Sequence, residues 1–144
     1  MSFLQSLNIS GSGLTAQRFR MDVISENIAN IDSTRTESGG PYRRKMVVLS
    51  STGDFKNLLV KNLTDHEVEG GVEVSEIVED QSDFKLVYDP EHPDADENGY
   101  VNMPNVDSLK ETVDMMEAYR AYQANITALN TTKQMAVKAL EIGR

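Results

Sequence analysis

The apolar residues at the start of the chain recur with helical spacing. One row of residues seven apart runs through residues 1–31: Leu7, Leu14, Met21 and Ile28. This heptad spacing predicts an amphipathic helix from about residue 3 to about residue 30, roughly 40 Å long. Gly11 and Gly13 count against it, because each glycine costs about 1 kcal/mol relative to alanine inside a helix.

A more regular apolar row runs through residues 106–144. Its members alternate at spacings of four and three, and Lys133 alone breaks their apolar character: Met115, Tyr119, Tyr122, Ile126, Leu129, Lys133, Ala136 and Leu140. Asp107 or Ser108 is suited to cap the start of this helix, and Gly143 lies at its end. Two long helices with heptad rows at opposite ends of a chain predict an antiparallel coiled coil. From the spacing alone, an ordinary helical hairpin core is the favoured interpretation.

The region between the helices, residues 32–105, has the pattern of small β structure. All four prolines lie in it, and turn residues cluster at 37–42. β-rich or alternating stretches predict strands in the second half of 43–50, at 71–79 and at 84–89, with a further short strand at 99–103. Residues 79–83 suit a hairpin connection, and residues 55–63 a short helical turn or packed loop. The predicted fold is therefore mainly α, with two terminal helices and a small central β region.

Charge divides the chain at the same boundaries. The formal net charge is -9, and all of it lies in residues 32–105, which hold seven basic and sixteen acidic groups. This argues against nucleic acid or an anionic membrane surface as a partner. Residues 1–17 and 121–132 carry no charge, unlike the outer face of a helix that is exposed to water. We therefore expect the terminal helices to be packed inside an assembly of many copies.

The cysteine content and the targeting signals limit the kinds of site and the location that the chain can have. There is no cysteine, which excludes disulfides and thiolate catalysis. No stretch has the roughly 20 apolar residues of a spanning helix, so no direct membrane insertion is expected. The start of the chain lacks the basic and apolar regions of a cleaved signal peptide. These features predict a cytoplasmic protein, or one exported without a cleaved signal.

Few residues are candidates for metal binding or catalysis. Residues 94–105 place Asp94, Asp96, Asn98 and Gly99 at positions 1, 3, 5 and 6 of an EF-hand calcium loop, but Asn105 stands where a bidentate glutamate is required. A solvated acidic turn between strands is the favoured interpretation, and no metal or other cofactor is predicted. His66 and His92 lack the spacing of a metal pair, and no phosphate-binding loop is present. The sequence predicts no catalytic residues and no enzyme activity.

The end of the first helix carries the most specific motif. Asn27, Ile28, Ala29 and Asn30 lie where the helical pattern stops, within the stretch ENIANIDSTR. Asn30 suits a helix C-cap, because asparagine tolerates a left-handed backbone. The amide of Asn27 can bond backbone or a neighbouring subunit.

These residues resemble the signature of the flagellar basal-body rod protein family. The stretch YRAYQANITALNTTKQM resembles the family's paired C-terminal helix, and residues 41–49, 79–106 and the closing ALEIGR are similar to proximal rod proteins. The resemblance implies a structural subunit of the proximal rod, the tube that carries motor torque to the hook. It further implies export through the flagellar type III apparatus, a basal-body location, and assembly with copies of itself, other proximal rod proteins and the distal rod protein.

In this interpretation residues 27–30 form an assembly motif, and residues of both helical rows form the packing seam: Leu7, Leu14, Met21, Met115, Tyr119, Tyr122, Ile126, Leu129 and Leu140. Residues 1–31 and 106–144 supply the inner helices, and residues 32–105 lie further out. The alternative is a coiled-coil adaptor with a weak calcium-binding acidic loop.

Overall fold

Two long helices frame the fold. In the computed structural model, which describes residues 3–37, 39–52 and 70–142, helix α1 spans Phe3–Ala29 and helix α2 spans Ser108–Ile142. Asp107 caps α2 as predicted, since its Oδ1 accepts the backbone N–H groups of Leu109 and Lys110 at 2.9 and 3.3 Å. These hydrogen bonds lower the pKa of the Asp107 carboxyl.

The helices pack side by side and run antiparallel. Gly13 of α1 lies against Asn125 of α2, whereas Asn27 of α1 reaches Glu111 of α2. As α1 advances, its contacts therefore move towards the start of α2. The prediction of two terminal helices is confirmed, and a coiled-coil geometry for the pair stays a prediction.

The serine and glycine residues inside α1 lie at close contacts. A Cβ atom added to Gly13 would lie 3.1 Å from Nδ2 of Asn125, so this glycine lets the two helices approach closely. Ser12 accepts the backbone N–H of Val72 through its Oγ at 3.0 Å, which joins a strand to the helix. Helix-weakening residues at 12 and 13 are thus offset by packing that larger side chains would prevent.

Within the described residues, four short strands form two separate two-stranded antiparallel sheets. The first sheet pairs β1 with β2, and the second pairs β3 with β4: β1 is Lys45–Ser51, β2 is Val72–Glu79, β3 is Lys85–Tyr88 and β4 is Tyr100–Met103. The prediction of a mainly helical chain with a small β region is confirmed. The predicted short helical turn or loop at 55–63 lies outside the described residues.

The prediction that residues 79–83 connect a hairpin is wrong, because β2 and β3 belong to different sheets. The segment is held in place by Arg44, directly before β1, and by Asn105. The backbone N–H of Asp80 bonds the carbonyl of Arg44 at 2.8 Å, and the amide of Asn105 donates to the carbonyls of Asp80 and Ser82. The guanidinium of Arg43 lies 4.3 Å from the ring centroid of Phe84. These contacts lead the chain from the first sheet to the second.

The buried core is small and lies at one end of the helix pair. It forms where the second half of α1 and the first part of α2 meet the strands and the segments beside them. Its apolar members are Ala16, Val23, Ile24, Tyr42, Val101, Val106 and Ala118.

Candidate functional site

Asn27, in the last turn of α1, is the centre of a buried hydrogen-bond network. Its Nδ2 donates to the carbonyl of Lys45 at 2.9 Å and to Oε2 of Glu111 at 3.0 Å. Its Oδ1 accepts the hydroxyl of Tyr42 at 3.0 Å and the backbone N–H of Lys45 at 2.9 Å. The fully buried Asn27 amide thus fills its four hydrogen-bonding positions and anchors the first residue of β1 to α1.

Arg44 connects this amide to α2. Its Nε donates to Oε1 of Glu111 at 2.6 Å, and its Nη2 donates to Oδ2 of Asp114 at 3.0 Å. Both Glu111 and Arg44 are buried, so each charge is compensated by the other and by neutral donors or acceptors. We call Asn27, Tyr42, Arg44, Lys45 and Glu111 the Asn27 network. It joins both helices and β1 at a single point.

The position of Tyr42 in this network changes the pKa of its hydroxyl. Burial, together with the nearby carboxylates of Glu26, Glu111 and Glu79, raises the pKa of the phenol to about 12. The neutral hydroxyl is the form that donates to Asn27. The hydrogen bond to Asn27 therefore requires a protonated Tyr42.

The remaining residues of the motif are placed differently. α1 ends at Ala29, as the position of Asn30 predicts, and Nδ2 of Asn30 donates to the carbonyl of Glu26 at 2.9 Å. Oδ1 of Asn30 accepts the Ser33 hydroxyl at 3.1 Å. Ile28 is half-buried and Ala29 is exposed. The two asparagines thus have different roles. The side chain of Asn30 hydrogen-bonds at the end of the helix, whereas that of Asn27 links α1 to the buried interior. A role of residues 27–30 in assembly stays a prediction.

The residues predicted to form the packing seam divide into two groups. Six are half-buried, namely Leu7, Leu14, Met21, Met115, Tyr122 and Leu129, whereas Tyr119, Ile126 and Leu140 are exposed. In α2, Glu111 and Asn125 contact α1, and Ala118, seven residues from each, is fully buried. These residues alternate with the half-buried Met115, Tyr122 and Leu129 at spacings of four and three. The packing of the exposed seam residues between copies stays a prediction.

Sequence reasoning did not identify Glu111 or Tyr42 as special. The sequence holds one indication, because three consecutive cations in an acidic region, Arg43, Arg44 and Lys45, can pair with acidic neighbours or with a partner subunit. The structure shows the first of these for Arg44 and for Lys45, whose Nζ pairs with Glu26. That Glu111 would be the buried partner depends on long-range packing, since 67 positions separate it from Arg44.

The carboxylates of the acidic turn are used within the chain. Asp94 accepts the hydroxyl of Thr34 at 2.8 Å and pairs with Arg35, and these contacts lower its pKa. Oδ1 of Asp96 accepts the N–H groups of Asn98 and Tyr100 at 2.9 and 2.8 Å. Among the described residues, no group of three or more His, Asp or Glu side chains is arranged to hold a metal ion. The turn is thus fastened to the segment that follows α1.

Both helices expose large apolar side chains to solvent. At the far ends of the pair these are Phe3, Leu4, Met135, Val137, Leu140 and Ile142, and on the outer side of α2 they include Leu109, Val113, Met116, Tyr119 and Ile126. No helix in the described part of the chain has the length and apolar character needed to cross a membrane. An apolar surface of this extent is typical of a binding face.

Comparison with known proteins connects these features to flagellar rods. The family described as "Flagella basal body rod protein" matches residues 7–35, and the family described as "Flagellar basal body rod FlgEFG protein C-terminal" matches residues 97–142. The chain is similar to the flagellar basal-body rod protein FlgC of Bacillus subtilis, at 54% identity over 100% of both chains. It is also 44% identical to FlgC of Borreliella burgdorferi, over 99% of this chain and 98% of the relative. FlgC of Salmonella typhimurium is 44% identical over 100% of both.

Proposed function

The chain belongs to the FlgC family of flagellar basal-body rod proteins, and from this premise we propose that it is a subunit of the proximal rod that assembles through its terminal helices. Membership makes it a structural component of the flagellar basal body and implies that it is not an enzyme. In the proposed role the assembled subunits form a tubular drive shaft that transmits motor torque to the hook.

The observation that carries this proposal is the apolar surface of α1 and α2. The single chain buries Ala16, Val23 and Ile24 of α1 and Ala118 of α2, and it leaves larger apolar side chains of both helices exposed. Burial of apolar surface contributes about 25 cal/mol per Å², so such side chains favour contact with other subunits. The uncharged residues 121–132 could be buried in that contact without stranding a charge.

The distribution of charge supports the orientation proposed for each subunit. The helical segments are each neutral, so they can be stacked in a tube without accumulating like charge, whereas residues 32–105 carry the whole -9. We place the acidic β region at the outer surface of the rod. This leaves both terminal helices for the inner wall.

The proposed partners are copies of this chain, the other proximal rod proteins and the distal rod protein. Before assembly the chain would pass the flagellar type III export apparatus without a cleaved signal. The finished rod would cross the periplasmic and peptidoglycan zone of the cell envelope. Neither nucleic acid nor insertion into a membrane has a part in this role.

A matched pair of isoleucine substitutions tests the proposal. Ile126→Glu places a charge on the exposed face of α2, where the side chain is 37% exposed, and Ile77→Glu places the same charge on β2, where it is 47% exposed. Both changes should leave the circular dichroism of the purified chain unchanged, because neither residue is buried. We expect Ile126→Glu to abolish motility and incorporation into isolated basal bodies, and Ile77→Glu to retain both. Full incorporation of Ile126→Glu would contradict assembly through this helical face.

A further inference from the structure

The outer face of the second sheet carries an aromatic and aliphatic patch. In the register of β3 and β4, Leu86 lies opposite Asn102 and Tyr88 lies opposite Tyr100, so these four side chains share one face. Leu86, Tyr88 and Tyr100 are 68%, 65% and 44% exposed. On the opposite face Val101 is buried in the core. We call Leu86, Tyr88, Tyr100 and Asn102 the hairpin patch.

The two tyrosines of the patch are held in a fixed arrangement. Their ring centroids are 5.3 Å apart with an interplanar angle of 66°, an edge-to-face contact. Gly99 adopts a positive φ of 80°, and a Cβ atom added there would lie 3.0 Å from Cε2 of Tyr88. Glycine at this position therefore lets the Tyr88 ring lie over the backbone of the turn. Exposed aromatic side chains that are positioned in advance lose little entropy on binding.

The turn that joins the two strands of the patch is acidic. The turn between β3 and β4, residues 89–98, holds five carboxylates and neither lysine nor arginine, and Glu91 and Glu97 are exposed on it. The face of a tyrosine ring attracts cations, most often arginine. Neighbouring carboxylates add to this attraction. From the exposed tyrosines and the acidic turn we infer that the hairpin patch binds a protein surface that presents arginine or lysine beside apolar side chains.

A second copy of this chain does not fit that description. The cations of the middle region that the structure describes are engaged within the chain, by ion pairs, aromatic rings or a carbonyl: Arg35, Arg43, Arg44, Lys45 and Lys85. The described part of the middle region in another copy is otherwise acidic, and two acidic surfaces repel. The remaining described cations lie on α1 and α2, which the proposed function places in the inner wall. The partner of the patch is therefore a different polypeptide.

A glycan fits the patch less well than a protein does. A sugar ring stacks on a flat exposed aromatic face, whereas the edge of one tyrosine points at the face of the other here. Leu86 adds an aliphatic side chain that offers a sugar hydroxyl no hydrogen bond. An apolar side chain next to a guanidinium matches both parts of the patch.

Photo-cross-linking in assembled basal bodies tests this inference, which rests on the proposed function for the assembly it uses. The full chain carries the photoreactive residue p-benzoylphenylalanine in place of Tyr88, and irradiated basal bodies are analysed by mass spectrometry. We expect an adduct with a different polypeptide, at a peptide that contains arginine or lysine next to apolar residues. An adduct with a second copy or with peptidoglycan glycan, or no adduct from an incorporated chain, would overturn the inference.

Charge reversal supplies the matched control. Adding Glu91→Lys and Glu97→Lys to the photoreactive chain should lower the adduct yield roughly tenfold, because attraction becomes repulsion. Reversing two exposed carboxylates of β2 instead, with Glu73→Lys and Glu76→Lys, should leave the yield unchanged. Equal yields in both chains would refute the electrostatic part and with it the inference. Recovery of the unsubstituted chain in basal bodies reports on the proposed function separately, so the two failures are distinguishable.

Discussion

Replacing Asn27 by alanine removes the centre of the buried network, and we predict that this destabilises the chain strongly. The substitution deletes four hydrogen bonds of 2.9–3.0 Å, and it strands the N–H and carbonyl of Lys45, the Tyr42 hydroxyl and one oxygen of Glu111. Each buried polar group left without a partner costs about 1–3 kcal/mol. Because these losses overlap and water can enter the space, we expect a total of about 3–5 kcal/mol.

Asn30 offers the matched control within the same motif. Its side chain makes two hydrogen bonds near the surface, so Asn30→Ala should cost about 0.5–1 kcal/mol. Urea unfolding of each purified chain, followed by far-ultraviolet circular dichroism, gives the free energy of unfolding. Asn27→Ala should also lower the melting temperature by about 10 °C, since 1 kcal/mol corresponds to about 2–4 °C in a chain of this size.

A third variant separates lost hydrogen bonds from lost volume. Asn27→Asp keeps the shape, but it replaces the donor to Glu111 by a second carboxylate. We expect it to be at least as destabilising as Asn27→Ala at pH 7, because two carboxylates then face each other without a donor between them. Equal and small effects of Asn27→Ala and Asn30→Ala would refute the reasoning, because the network would then contribute no more than a surface contact.

Other features of the chain lead to further measurable expectations. The free energy of unfolding should fall as the pH rises from 10.0 towards about 12, because unfolded tyrosine loses its proton before Tyr42 does; Tyr42→Phe should remove this part of the pH dependence. Gly11→Ala should stabilise the chain by about 0.5–1 kcal/mol, since an added Cβ meets nothing within 4 Å. Gly71→Ala should destabilise it by about 1–3 kcal/mol, because its Cβ would lie 2.8 Å from Oγ1 of Thr52. Asp107→Ala should destabilise the chain through the lost cap of α2. Urea or thermal unfolding checks each, and an opposite sign at either glycine would contradict the packing described there.

The long helices and short strands were predictable because local patterns encode them. The row of Leu7, Leu14 and Met21 marks α1, and Asp107 was among the expected caps of α2 because a carboxylate before a helical pattern satisfies free N–H groups. The strand at 72–79 also followed from its composition. These features depend on residues that are close together in the sequence, so a single sequence is enough to predict them.

The pairing of strands and the buried network were not predictable in the same way. Residues 79–83 have the composition of a hairpin turn, yet Asn105, which lies far along the chain, holds them in another path. Glu111 has the composition of an exposed helix residue, and its burial depends on Arg44 and Asn27 reaching it from elsewhere. Likewise, the close approach of Gly13 to Asn125 joins the two helices at a contact that the spacing of apolar residues does not reveal.

Electron cryomicroscopy of purified basal bodies that contain this chain tests the central claim most directly. The account predicts that the chain lies in the proximal rod, with α1 and α2 antiparallel in the inner wall and residues 45–51, 72–79, 85–88 and 100–103 in strands further out. It predicts also that Tyr119, Ile126 and Leu140 contact neighbouring subunits. A rod that lacks the chain, or subunits whose exposed helical side chains face solvent while the strands line the tube, would contradict it.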